Sequence, residues 1–110
     1  SLVHDLIVSG DTETVQVIVR NGYYLDQKYD QLTFGDLALI QGRLEIVRMI
    51  YERHGLFQAP PSFIALALND THALTAALRH PGALKERFHG FSLEQYAETI
   101  GRQEMIAAIR

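Results

Sequence analysis

The feature that most constrains this chain is a recurrence. Short apolar stripes with helical spacing return along its length, and each breaks off after two or three turns. Val3, Leu6 and Ile7 form the first, and Val15, Ile18 and Val19 the second. Leu37, Leu39 and Ile40 follow, then Ile46, Val47, Met49 and Ile50. Next come Ile64, Leu66 and Leu68, with Leu74, Ala77 and Leu78. Leu93, Tyr96 and Ile100, then Met105, Ile106 and Ile109, close the series. A helix this short is marginal alone in water, so each must bury its stripe on a neighbour.

The breaks have the chemistry of helix ends. Ser9-Gly10-Asp11-Thr12, Gln41-Gly42-Arg43, Asn69-Asp70-Thr71 and Ile100-Gly101-Arg102 hold matching places. Gly10, Gly42 and Gly101 are expected to turn left-handed and stop a helix, and Asp11 to cap the next one. Thr33 with Asp36, and Ser92 with Gln95, have capping-box spacing. The linkers Tyr23–Leu32 and Ala83–Phe91 have room for a turn or small hairpin. Leu6, Ala38, Ala67 and Ala97 mark the first helix of four successive pairs, at separations of 32, 29 and 30. Gly10, Gly42, Asp70 and Gly101 mark the turns, at separations of 32, 28 and 31. A period near thirty is the mark of stacked helix pairs.

The residues at these positions resemble the ankyrin pattern T-P-L-H-x-A followed by G-x-x-x-I-V-x-x-L-L. Thr33-Phe-Gly-Asp-Leu-Ala38, with Gly42-Arg-Leu-Glu-Ile-Val47 and Met49-Ile50, carries the resemblance best. Ser1-Leu-Val-His-Asp-Leu6 with Gly10, Val15, Ile18-Val19 and Gly22 repeats it. Gly90-Phe-Ser-Leu-Glu-Gln-Tyr-Ala97 with Gly101 and Ile106 gives another copy, and Ser62 to Leu78 a weaker one. The Trp and Gly-Tyr marks of the tetratricopeptide repeat are missing. The resemblance implies an all-α, ankyrin-type helix-pair solenoid of about four irregular repeats with short hairpin fingers. The repeats run roughly over 1–32, 33–61, 62–91 and 92–110 of a single domain. Three departures stand out: His survives in the motif only as His4, Gly35 occupies a normally apolar core place, and the third copy has in place of its finger a short loop, Leu56–Pro61, stiffened by Pro60-Pro61.

Composition narrows the function. The chain has 110 residues, 47% of them hydrophobic, which suits one compact core. Its ten basic residues are scattered among thirteen acidic ones for a net charge of −3, so no nucleic acid is expected as partner. There is no cysteine, hence no disulfide, thiolate metal site or thiol nucleophile. Phe63 to Leu68 is too short an apolar run to span a membrane. The start at Ser1 without Met suggests a processed form or excised piece, and no signal-type segment opens it. A cytoplasmic monomer is the expectation.

No catalytic constellation emerges. His4, His54, His72, His80 and His89 form no metal pair at helical spacing, and His4-Asp5 reads as a packing histidine with a local hydrogen bond. Catalytic residues, metal and cofactor are all expected to be absent. The aromatics say more. Tyr23, Tyr24, Tyr29, Phe34, Phe57, Phe88 and Phe91 fall between helix pairs or at the start of one. Rigid aromatic area at loop tips is what binding hot spots use, while Tyr23 and Phe91 suit stapling a hairpin to its neighbour. The resemblance places a partner on the concave face, formed by the finger tips and the first helix of each pair, including the residues just before each turn glycine. The expected partner-binding set is Tyr24, Tyr29, Asp30, Gln31, Phe34, Ile40, Gln41, Phe57, Asn69, Phe88 and His89. The expected function is a non-catalytic adaptor or scaffold for one protein partner. An inhibitor or immunity-type protein occluding an enzyme's active site is the alternative, and a small-molecule or metal-dependent enzyme is the competing class.

Overall fold

The structure, a computed structural model, describes residues 2–23 and 25–109. The described residues are mostly helical, with two small antiparallel ladders, as the periodicity requires. They divide into two compact units, Ser1–Gln58 and Ala59–Arg110. The first holds α1 (Leu2–Ser9), α2 (Thr12–Arg20), β1 (Lys28–Tyr29), β2 (Leu32–Thr33), α3 (Phe34–Ile40) and α4 (Leu44–Glu52). The second holds α5 (Pro61–Ala67), α6 (Thr71–Ala77), a 3-10 turn at Ala83–Lys85, β3 (Arg87–Phe88), β4 (Phe91–Ser92), α7 (Leu93–Thr99) and α8 (Gln103–Ile109).

In the first unit α1 packs on α2 and α3, and α4 packs on α2 and α3. Ile7, Val15, Ala38, Leu39, Ile46 and Val47 are fully buried there. In the second unit α5 packs on α6 and α7, and α7 on α8, with Phe63, Leu66, Leu74, Tyr96 and Ala97 fully buried. Each large apolar side chain so buried stabilises by about 1.5–3 kcal/mol, which is what makes such short helices tenable. No helix among the described residues is long and apolar enough to cross a membrane.

The first helix of every pair ends in the same turn. The amides of Asp11, Arg43, Asp70 and Arg102 donate to the carbonyls of Leu6, Ala38, Ala65 and Ala97, and the preceding amides of Gly10, Gly42, Asn69 and Gly101 donate to Ile7, Leu39, Leu66 and Glu98. These are Schellman closures, with the preceding residue left-handed at Gly10, Gly42, Asn69 and Gly101. The sequence phase of the third pair is therefore corrected. Ala65 stands where Ala67 was expected, and Asn69 holds the turn place given to Asp70. The anchors Leu6, Ala38, Ala65 and Ala97 are separated by 32, 27 and 32, because the segment before α5 has no hairpin.

The alternation reveals a longer period. Every helix and strand of the first unit has a counterpart in the second at one constant offset, from α1 and α5 (61 − 2 = 59) to α4 and α8 (103 − 44 = 59). Asp11 and Asp70, Thr12 and Thr71, Ala38 and Ala97, Gly42 and Gly101, and Arg43 and Arg102 repeat at that offset. Their roles repeat as well. Asp11 and Asp70 cap their own helices, accepting from the amides of Thr14 (3.2 Å) and Ala73 (3.0 Å). Arg43 instead donates from Nε to the Ile7 carbonyl (3.1 Å) and from Nη2 to the Val8 carbonyl (2.6 Å). Arg102 donates from Nη1 to the carbonyls of Leu66 (2.6 Å) and Ala67. Each arginine thus donates to carbonyls in the last turn of the first helix in its unit, where a cation also meets the negative end of the helix dipole. A Cβ on Gly10 would come within 2.9 Å of Arg43 Cζ, so this glycine admits the guanidinium besides making the turn.

One predicted capping box forms in full. Ser92 N–H donates to Gln95 Oε1 (2.9 Å) and Gln95 N–H to Ser92 Oγ (3.1 Å). At the other, Thr33 Oγ1 accepts from Asp36 N–H (3.0 Å), but the buried Asp36 carboxylate accepts from Gln58 N–H, 3.1 Å from each oxygen. It ties down the segment after α4. Gly35 also finds its reason here: a Cβ would lie 2.6 Å from Phe57 Cε1, so the missing side chain makes room for a ring.

Candidate binding surface

The two hairpins are built alike. In the first, Lys28 pairs with Thr33 and Tyr29 with Leu32; in the second, Arg87 pairs with Ser92 and Phe88 with Phe91. Each is closed by two residues with positive φ, Asp30 (55°) and Gln31 (66°) in one, His89 (49°) and Gly90 (84°) in the other. Two such residues make a type I′ turn, whose twist suits a tight hairpin. Each hairpin also rests a ring on the first helix of its unit. Tyr29 lies 4.9 Å from the ring of His4, and Phe88 lies 5.6 Å from Phe63, centroid to centroid. These contacts are equivalent at the offset that relates the units (63 − 4 = 59, 88 − 29 = 59).

Their burial differs sharply. Tyr29 keeps 43% of its surface, and Lys28, Asp30 and Gln31 are exposed around it. Phe88 keeps 7% and belongs to an aromatic cluster in which Phe63 and Phe91 both contact Tyr96, at 5.4 and 5.6 Å. Around it Arg87, His89 and Gly90 are exposed, with the His89 ring edge-on to Phe88 at 4.6 Å.

The remaining expected contact residues scatter. Phe34, at the start of α3, is a core residue, because the helix turns its first side chain inward. Phe57 is half-buried over Gly35, its ring 6.3 Å from Tyr51, and so acts as a staple. Ile40 is half-buried at the end of α3 and Gln41 exposed as its C-cap. Asn69 is exposed in its left-handed turn. Tyr24 lies outside the described residues. The structure therefore brings Tyr29, Asp30 and Gln31 together in one accessible turn, and withdraws Phe34 and Phe88 from any surface a partner could reach. Of the two residues given above as staples, Tyr23 is 63% exposed and the Phe91 ring packs on Tyr96.

Beside the second hairpin an open groove of about 540 Å³ is lined by Gly90, Phe91, Gln95, Glu98 and Thr99. Its Gln95 side chain is already engaged in the capping box, and its Thr99 hydroxyl donates to the Gln95 carbonyl (2.9 Å). Phe91 of its lining packs on the buried Tyr96. Burial pushes the Tyr96 phenol well above the ordinary tyrosine range, and the nearby Arg102 charge offsets only part of this. His4 Nδ1 lies 3.3 Å from Asp5 Oδ1, a local contact on an exposed helix face. Among the described residues no three His, Asp or Glu side chains gather in a metal-binding arrangement. Sequence reasoning overlooked the two clamping arginines. The Gly-Arg pair recurring at 42–43 and 101–102 was their signal.

The chain matches no family model, and neither a curated protein nor a solved structure matches it significantly.

Proposed function

We propose that this protein is a recognition module of ankyrin-type helix pairs that binds a protein partner without catalysing a reaction. One observation carries the reading: a short type I′ hairpin between two helix pairs presents a half-exposed tyrosine beside exposed polar side chains. A rigid turn loses little entropy on binding, and tyrosine offers large amphipathic contact area, the combination that binding anchors use. The repeated helix pair, hairpin and helix pair, with matching Schellman turns, supports the ankyrin-type assignment. The test is affinity capture with the full chain from native lysates, followed by mass spectrometry and by repetition with Tyr29→Ala. A specific protein retained by the parent and lost by the variant is the expected result. Capture of no specific protein would defeat the proposal.

A further inference from the structure

The chain contains its own control for the binding surface, because the same hairpin is built twice. At three equivalent places the first copy keeps the less stabilising choice. Position 31 is Gln with φ 66°, where its twin uses Gly90 with φ 84°. Left-handed backbone is costly for any residue with a Cβ and nearly free for glycine. Position 29 is a tyrosine left 43% exposed, where its twin Phe88 is buried. Position 4 is His, where its twin Phe63 fills the core with no exposed surface. The left-handed backbone closes the turn, but neither the Asp30 carboxylate nor the Gln31 amide makes a hydrogen bond to another described residue, so no side-chain hydrogen bond among the described residues offsets the cost of Gln in place of Gly at position 31. A costly residue choice at an exposed position, with no side-chain hydrogen bond to another described residue, points outward, to a ligand.

Resting on the recognition reading above, the geometry points to the hairpin Lys28–Thr33 as the specificity element, reading an arginine on a loop of the partner protein. Residues Asp26, Gln27, Lys28, Tyr29, Asp30 and Gln31 are all exposed and carry two carboxylates against one ammonium. A guanidinium is planar and holds its charge at any ordinary pH. It can lie on the open face of a phenol while donating to a carboxylate and to an amide oxygen, the groups that Tyr29, Asp30 and Gln31 supply. A lysine ammonium lacks the flat fork, and a glutamate is repelled. The second hairpin does not duplicate the site: its ring is buried, and its Arg87 donates to the Gly90 carbonyl (3.3 Å).

The test is a titration of the isotope-labelled full chain with acetyl-Gly-Arg-Gly-amide, followed by amide chemical shifts. Saturable shifts centred on residues 28–31 are expected, weaker with the lysine peptide and absent with the glutamate peptide. Tyr29→Ala and Asp30→Asn should each abolish them. Gln31→Gly should weaken them at least several-fold while melting no lower than the parent, which separates lost recognition from lost folding. Shifts centred on residues 87–90, equal shifts with the lysine peptide, or no shifts at all would overturn the assignment. A captured partner that binds an Asp30→Asn/Gln31→Gly chain at full strength would also remove this hairpin from the interface, while leaving the recognition reading standing.

Discussion

The two hairpins share length, register, turn type and a ring contact with the first helix of their unit, yet the ring of one lies at the surface and the ring of the other in the core. Phe88 sits against Phe63 in a cluster with Phe91 and Tyr96, whereas Tyr29 sits against His4 with nearly half its area in water. The backbone of a hairpin does not decide whether its ring is exposed. That is decided by what the neighbouring helix offers its ring: an apolar Phe63 draws the ring inward, and a polar His4 leaves it at the surface. The arginines behave oppositely. Arg43 and Arg102 keep one task in both units, because the last-turn carbonyls they donate to arise from helix geometry itself and not from side-chain choice.

The largest effects should come where the two units are alike. Ala38 and Ala97 are fully buried twins, and Ala38→Asp or Ala97→Asp would bury an unpaired carboxylate against close-packed helices. Each should cost about 4 kcal/mol or more and unfold the unit that carries it. Circular dichroism melting checks this, and a parent-like melt for Ala38→Asp would mean the helix register is wrong. The next effects should separate the hairpins. Phe88→Ala should cost about 3–5 kcal/mol, as for a buried aromatic, and Tyr29→Ala under about 1 kcal/mol. Equal losses in urea denaturation would break the surface-versus-core distinction. Smaller and symmetrical losses, about 1.5–3 kcal/mol each, are expected for Arg43→Ala and Arg102→Ala, the range for hydrogen bonds made by a charged group. Hydrogen exchange should place each loss in the arginine's own unit.

A pH experiment sharpens the same contrast with a smaller signal. The Tyr96 phenol titrates above its unfolded value, so the folded state holds its proton longer than the unfolded chain does. The stabilisation is fully present below about pH 10, the ordinary tyrosine value, and is lost as pH rises from there through the folded value. Alkaline denaturation should therefore strike the second unit, and Tyr96→Phe should flatten the dependence. A parent-like alkaline profile in Tyr96→Phe would show that the phenol contributes nothing to it.

Much of this organisation could be read along the chain. Short stripes at helical spacing give the helices, Gly10, Gly42 and Gly101 give the turns, and Ser92 with Gln95 gives a cap, because all of these depend on residues within a helical turn or so of each other. The third pair could not be phased. Ala65 and Ala67 are equivalent in composition and spacing, and only the amide of Asp70 donating to the Ala65 carbonyl distinguishes them. Gly35 looked like a defect until Phe57 was seen over it. The expected contact residues met the same limit: Tyr29, Asp30 and Gln31 are adjacent in sequence and stay together, but Phe34 and Phe88 were withdrawn by partners that aromatic content alone does not reveal.

By itself, then, the sequence determined the helix pairs, the ends of all but the third and the places where hairpins interrupt them, since these follow from local periodicity and backbone chemistry. Tertiary structure alone decided which hairpin ring is buried, which helix end each arginine closes and why a glycine stands in the core. Each of those outcomes depends on atoms brought together from distant parts of the chain, as where Arg43 reaches back to the Ile7 carbonyl or the Gln58 amide meets the Asp36 carboxylate. Burial is a property of the partner as much as of the residue.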